Sequence, residues 1–349
     1  MEFGIALASN LDGWRTVKRA EGLGFSHAWF YDTQMLSPDI FVTMALAATQ
    51  TSKIKLGAGV LVPSNRIAPV AANGFASLNQ LAPGRMILGL GTGFTARNTM
   101  GLPPVKLDDL REYVRIIRGL LRGETVEIDF PEGRRKARFL NPDGLINIRD
   151  AIPIHFSAFA PKMRRLTAEV GDGWMTFMFD LERALGEAKH VDQACRDVGR
   201  QPQTLYKTAF TLGCVLADNE PADGARAKVQ AGPLAIVFLH GLVEATLGLP
   251  LSPAVQALLE EYRKLLQTYQ PPDARYLQMH TQHLLGVRPE EQRFLTAELI
   301  RATTFTAQSG ELRERLRALK AAGYQQFVIQ LVHGHEAAID DWARLIEGV

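Results

Sequence analysis

A chain of 349 residues, 46% of them apolar, can bury one large core, and a closed α/β barrel of this length is ordinarily a single domain. Its 39 lysines and arginines against 37 aspartates and glutamates leave a formal net charge of +2 with no concentrated basic run, which excludes a nucleic-acid face and points to a small molecule or a second copy of the chain as partner. Two cysteines, Cys195 and Cys214, are too few for a disulfide framework or a zinc–thiolate site; with no signal-like opening and no run of ~18 apolar residues, the expectation is a cytoplasmic protein that does not enter the membrane.

Short apolar runs rich in β-branched and aromatic residues predict strands at 3–8, 27–31, 54–60, 86–90, 154–157, 173–177, 207–216 and 326–331. Segments of helical period fall between and after them, at 12–23, 39–49, 70–81, 107–122, 161–170, 181–198, 311–322 and 336–346. The turns agree: Gly22 and Gly24, then Pro83 and Gly84, then Gly323 each stop a helix just ahead of a strand. Eight strand–helix alternations predict a (β/α)8 TIM barrel in preference to an open doubly wound α/β sheet.

Such a barrel takes ~250 residues, so the remainder falls into two excursions. Residues 124–151 read as a hairpin with an irregular loop, and 219–304 as a helical insertion between the seventh and eighth strands. Leaving from the C-terminal end of the barrel, the second is expected to be a lid or substrate cap, or else an oligomer contact.

Function in a barrel sits where the strands end. The second strand runs into Asp32, Thr33 and Gln34, a carboxylate, a hydroxyl and an amide that suit either a polar ligand or an N-cap and turn. The third runs into "VPSNRIAP", where Pro63 and Pro69 stiffen a loop around Arg66, which either anchors that loop internally or reaches an anionic group. After the fourth, Gly89, Gly91 and Gly93 clear side chains from one face, for a flat ligand or for a neighbouring backbone; the spacing is not a dinucleotide fingerprint. After the fifth, Pro161 starts a helix whose free N–H groups suit phosphate, with Lys162, Arg164 and Arg165 adding positive charge.

The histidines point elsewhere. His155 alternates with apolar Ile154 and Phe156 and reads as a core or mouth residue. His280 and His283 stand three apart, and His333 and His335 flank Gly334, but a metal needs a third ligand and only Glu336 offers itself, so no metal is expected. No nucleophile-elbow, Walker or zincin pattern is present.

Two stretches, "LGAGVLVPSNRIAPVAANGFASLNQLAPGRMILGLGTG" at 56–93 and "IPIHFSAFAPKMRRLTAEVGDGWM" at 152–175, resemble the bacterial luciferase-like superfamily of flavin- and deazaflavin-dependent oxidoreductases. Within it the chain is most similar to the branch holding methylenetetrahydromethanopterin reductase and deazaflavin-dependent glucose-6-phosphate dehydrogenase. The likeness covers roughly 1–216 and the last strand; 219–304 matches only in being a helical insertion. The resemblance implies a non-covalent deazaflavin (coenzyme F-420) or FMN at the C-terminal mouth, with a bulge and a non-proline cis peptide at Gly59 and Val60 behind the ring. It further implies coenzyme contacts from Val62, Gly91, Thr92, Gly93 and Arg97, and a phosphate site at Ala158, Phe159, Ala160 and Pro161.

Departures from that pattern matter as much. Sugar-phosphate dehydrogenases of the branch carry Asp-His after the second strand and Glu after the Gly-Thr-Gly turn, where this chain has Asp32 with Thr33 and Gly93 with Phe94. Glucose 6-phosphate oxidation by that mechanism is therefore not expected. Asp32 and Thr33 remain the catalytic candidates, and Phe94 implies a less polar substrate face. A deazaflavin would give hydride transfer and reduced FMN a monooxygenase. A flavin carrier without catalysis and a phosphate-binding isomerase or aldolase barrel stand as alternatives, and a homodimer follows from family habit.

Overall fold

A computed structural model describes residues 1–244 and 251–349. The chain runs β1 (Glu2–Ala8), α1 (Gly13–Gly22), β2 (His27–Tyr31), α2 (Ile40–Gln50), β3 (Lys55–Ala58), α3 (Ala68–Leu81), β4 (Met86–Leu90), a short α4 (Phe94–Asn98) and α5 (Leu107–Leu121). An antiparallel hairpin, β5 (Val126–Phe130) with β6 (Gly133–Ala137), precedes β7 (Ile154–Ser157), α6 (Pro161–Val170), β8 (Gly173–Phe177), α7 (Leu181–Asp197) and β9 (Tyr206–Thr211). Then come β10 (Val215–Leu216), α8 (Ala225–Val243), α9 (Pro253–Gln267), α10 (Arg275–Met279), α11 (Ala297–Thr303) and β11 (Ala307–Gln308). The chain closes with α12 (Ser309–Ala321), β12 (Gln326–Leu331) and α13 (Ile339–Ile346).

Eight strands form one closed parallel barrel in the order β1-β12-β9-β8-β7-β4-β3-β2, the predicted (β/α)8 fold. Helices α1, α2, α3, α5, α6, α7, α12 and α13 bury apolar residues in one cluster with the strands, and the helix-to-strand turns at Gly24 and Gly323 take the left-handed backbone that ends a helix cheaply at glycine. Large rings fill the inside. Trp29 and His155 stack through the barrel with His27 and Tyr206, and glycines on the facing strands leave room for them. A Cβ on Gly57 would lie 2.4 Å from the Trp29 ring, and one on Gly173 would lie 2.6 Å from His155.

Some boundaries differ from the sequence expectation. The third strand leaves the ladder at Ala58 rather than continuing to residue 60; the Gly59–Val60 peptide is cis, and the chain meets β4 again at Leu61, opposite Leu90. The strand expected at 207–216 breaks into β9 and β10. Between them Gly213 passes so close to Phe305 that a Cβ would lie 2.1 Å from its carbonyl oxygen, and β10 then pairs with β11 outside the barrel. The last helix begins as a 3-10 turn at Glu336–Ala338.

The described residues of 219–304 carry α8 to α11, and α8, α9 and α11 pack around a second apolar cluster that includes Phe238, Leu259, Tyr262, Phe294 and Leu299. Cys195 and Cys214 are both buried and free. No helix among the described residues is long and apolar enough to cross a membrane.

Candidate active site at the barrel mouth

Asp32, at the end of β2, is almost wholly buried. Its Oδ2 accepts from Arg66 Nη1 at 2.8 Å and from Asn65 Nδ2 at 3.2 Å. Arg66 Nη2 also bonds Asp39, the N-cap of α2, and its guanidinium stands 4.9 Å from the Phe41 ring centroid. Tyr113 on α5 donates to the Arg66 carbonyl at 3.0 Å. The arginine therefore anchors its own loop. Among the described residues Asp32 Oδ1 has no partner. Burial pushes the Asp32 carboxyl above its ordinary range, with Arg66 and Asn65 opposing the shift. Thr33 is half-buried and shares a hydrogen bond with Ser37 at 2.9 Å, while Gln34 links Asn65 to the carbonyl of Ala96.

Beyond β3, Gly59 and Val60 are half-exposed between buried Ala58 and buried Leu61, so this short piece of backbone opens on the mouth. Its floor is aromatic: the Cβ position on Gly59 is 3.5 Å from Trp29 and 3.7 Å from Phe210. The three glycines of β4 and its exit serve packing with this segment. A Cβ on Gly89 would lie 2.0 Å from the Ala58 carbonyl oxygen, on Gly91 2.7 Å from Val60, and on Gly93 2.8 Å from Val62. All three glycines thus allow the close approach of a neighbouring chain segment. Val62 is buried beneath Gly93, Thr92 accepts from Val105 N, and Arg97 folds along Gly93 with its Nε on the Pro103 carbonyl. Phe94 remains exposed at the rim.

The fifth barrel strand, β7, exits through buried Ala158 to exposed Phe159, Ala160 and Pro161. Ala160 is the N-cap of α6 and supplies no side-chain acceptor, so the first amides of this helix stay open to an outside anion. The nearby positive charge is largely committed: Arg164 pairs with Glu187 at 2.7 Å and Arg165 with Glu169 at 3.0 Å, leaving Lys162 exposed.

Residues outside the sequence-based set complete the mouth. The Tyr31 hydroxyl donates to Gln330 at 3.0 Å, and Gln330 donates in turn to the Leu284 carbonyl at 2.8 Å. Leu284, like Phe177 and Phe179, packs against a small cluster of Leu212, Leu234 and Val332, which brings the segment after α10 to the ends of β9 and β12. Gln330 is one of two amides, with Gln326, in the otherwise apolar run "QFVIQL"; nothing in the pattern marked Leu284. His155, by contrast, lies in the barrel interior, where burial lowers its pKa to about 4.

The fold is a (β/α)8 barrel, and its candidate site gathers at the C-terminal ends of the strands, where such barrels carry function. A profile of the luciferase-like monooxygenase family matches residues 12–326, and the chain belongs to this family. It is 33% identical over 230 residues to the 5,10-methylenetetrahydromethanopterin reductase of Methanolobus tindarius, covering 64% of this chain and 65% of that protein. It is also 33% identical over 220 residues to the F420-dependent hydroxymycolic acid dehydrogenase of Mycobacterium tuberculosis, covering 58% of each. The aligned part thus spans slightly less than two thirds of these relatives. The structure of the coenzyme F420 dependent tetrahydromethanopterin reductase from Methanopyrus kandleri shares the fold, with a TM-score of 0.71 over 98% of this chain and 97% of that one at 21% identity.

Proposed function

We propose that this protein is a luciferase-like oxidoreductase that holds a deazaflavin coenzyme at the barrel mouth and passes hydride between it and a small organic substrate. The observation that carries the reading is the half-exposed Gly59–Val60 backbone, open over an aromatic floor on the same rim as the uncapped start of α6. A flat tricyclic ring fits the first and a phosphate the second. When bound, the deazaflavin supplies the hydride chemistry; the protein supplies position and electrostatics.

In this reading Val60 backs the ring and the amides from Phe159 onward take the phosphate. Gly91, Thr92 and Gly93 hold the β3 exit in place, with Val62 and Arg97 supporting Gly93 from below. Asp32 acts through the loop it fixes by way of Asn65 and Arg66, and presents Oδ1 to the mouth. Thr33 and Phe94 border the substrate, and residues 219–304 cap it, with Leu284 over the opening. The relatives named as F420-dependent favour deazaflavin over FMN. Exposed Met35, Val42, Leu46, Ile67 and Val70 on and around the adjoining α2 and α3 suit a homodimer contact. Buried free thiols suit a reducing cytoplasm.

Calorimetric titration with the deazaflavin coenzyme and with FMN separately tests the reading. Deazaflavin binding tighter than about 100 μM, equivalent to about 5.5 kcal/mol, is expected, with FMN weaker. If neither binds at that level, the proposal fails.

A further inference from the structure

The helical insertion brings together three histidines that are distant in sequence. His240 comes from α8, and His280 and His283 from the turn after α10. One ring nitrogen from each lies within 4.8 Å of the others, and all three side chains are buried. The sequence marked His280 and His283 but offered no third ligand beside them; the fold supplies His240.

Each imidazole has an oxygen near its other side. His280 Nε2 lies 2.9 Å from Glu244 Oε1, leaving its Nδ1 turned to His283 Nδ1 at 3.1 Å. His283 Nε2 lies 3.1 Å from the Thr95 hydroxyl on α4. His240 Nε2 lies 3.5 Å from Glu291 Oε1, without the geometry of a hydrogen bond, and among the described residues neither of its ring nitrogens has a hydrogen-bond partner. Glu291 itself is buried and accepts from Tyr262 and Tyr269, not from a cation.

A chain of hydrogen bonds accounts for part of this: Thr95 Oγ1–H donates to His283 Nε2, His283 Nδ1–H to His280 Nδ1, and His280 Nε2–H to the Glu244 carboxylate. It leaves His240 buried and unpartnered, which costs free energy with no return. It also leaves the carboxylates of Glu244 and Glu291 facing this group of buried imidazoles. A divalent ion resolves both. Ligating histidines commonly turn their second nitrogen to a carboxylate or hydroxyl, as His280 and His283 do, and Glu291 stands 3.5 Å from His240 Nε2. A tetrahedral ion with bonds of ~2.0–2.1 Å sets its ligand nitrogens about 3.3 Å apart, close to the separation already present between His280 and His283.

We infer that His240, His280 and His283 form a binding site for a zinc-like divalent transition-metal ion, with Glu244, Glu291 and Thr95 orienting the ligands. Imidazole-only coordination selects for this class over magnesium or calcium. Three ligands leave the fourth position to water. The ion joins α8, the turn carrying Leu284 and, through Thr95, α4 at the barrel rim, so it fastens the insertion across the mouth. This site is independent of the coenzyme reading.

The test uses the full chain without an affinity tag, stripped with chelator and dialysed. Calorimetry with Zn2+ is expected to give about one ion per chain. Loading with Co2+ is expected to give the intense visible absorption of a tetrahedral site. His240→Phe, which fills the same apolar space, should abolish both while circular dichroism stays unchanged. If that variant does not fold, X-ray absorption on the zinc-loaded wild-type chain decides: a shell of three imidazoles supports the site, and an oxygen-only shell overturns it. Absence of Zn2+ binding by the folded chain, or undiminished binding by folded His240→Phe, also overturns the inference.

Discussion

Arg66→Met tests how the mouth is wired. Asp32 retains 2% of its side-chain exposure and Arg66 16%, so removing the guanidinium strands a buried carboxylate with Asn65 as its remaining donor. Leaving one member of such a pair uncompensated costs about 3–5 kcal/mol. The bond to Asp39 adds little, because that carboxylate is 47% exposed and water replaces the arginine. Methionine keeps contact with Phe41, so the loss reports mainly on charge. Adding Asp32→Asn removes the stranded charge, and urea unfolding of the four proteins at pH 7 should give a coupling of about 2 kcal/mol.

The pH dependence carries a sign. Burial already raises Asp32 above its unfolded value, and without Arg66 opposing it the folded pKa rises further. Between the unfolded value of about 3.9 and that raised value, the folded state binds the extra proton, so the penalty in Arg66→Met shrinks as pH falls through the window. A loss below about 1 kcal/mol, or one that grows on acidification, refutes the reasoning.

Three further outcomes are expected, besides the metal titration. Gly57→Ala drives a Cβ to 2.4 Å from Trp29 and should cost about 1–3 kcal/mol or more, whereas Gly59→Ala meets its neighbours at 3.5 Å and should leave the urea midpoint nearly unchanged. Ala160→Asp should cap α6, adding about 0.5–2 kcal/mol of stability, and weaken coenzyme binding by at least about tenfold through repulsion of the phosphate; equal affinity would remove α6 from the site. His27 and His155 have pKa values lowered by burial to about 3 and about 4, so unfolding takes up protons and stability falls as pH drops from about 6.5 towards 4. His155→Leu should flatten that slope by close to one proton, measured as urea midpoint against pH, and an unchanged slope would sink the assignment.

The barrel was legible because its signals are local. Alternating apolar runs and helical periods, with Gly24 and Gly323 at the turns, specify elements one at a time, and eight alternations leave few ways to assemble them. The family likeness at 56–93 and 152–175 is local too, and the profile match bears it out. Boundaries were lost where another segment intervenes: Gly213 looks like strand interior until Phe305 passes against it.

The site was legible only in outline. Periodicity assigned residues to strand ends, and so to the mouth, but not to partners. Arg66 could serve either role until the fold set it against Asp32, 34 residues away, and Asp39. The glycines of β4 suited a ligand or a neighbouring chain segment, and only the fold shows which segment comes close, the β3 exit at Ala58, Val60 and Val62. Leu284 and Gln330 meet across the opening through one hydrogen bond between segments that share no pattern. The sequence by itself therefore determined the element order, the barrel and the family, since these follow from short-range periodicity and contiguous motifs. The pairing of Asp32 with Arg66, the cover over the mouth and the meeting of His240 with His280 and His283 were decided only in the tertiary structure, because hydrogen bonds and ligand spheres depend on distance in space.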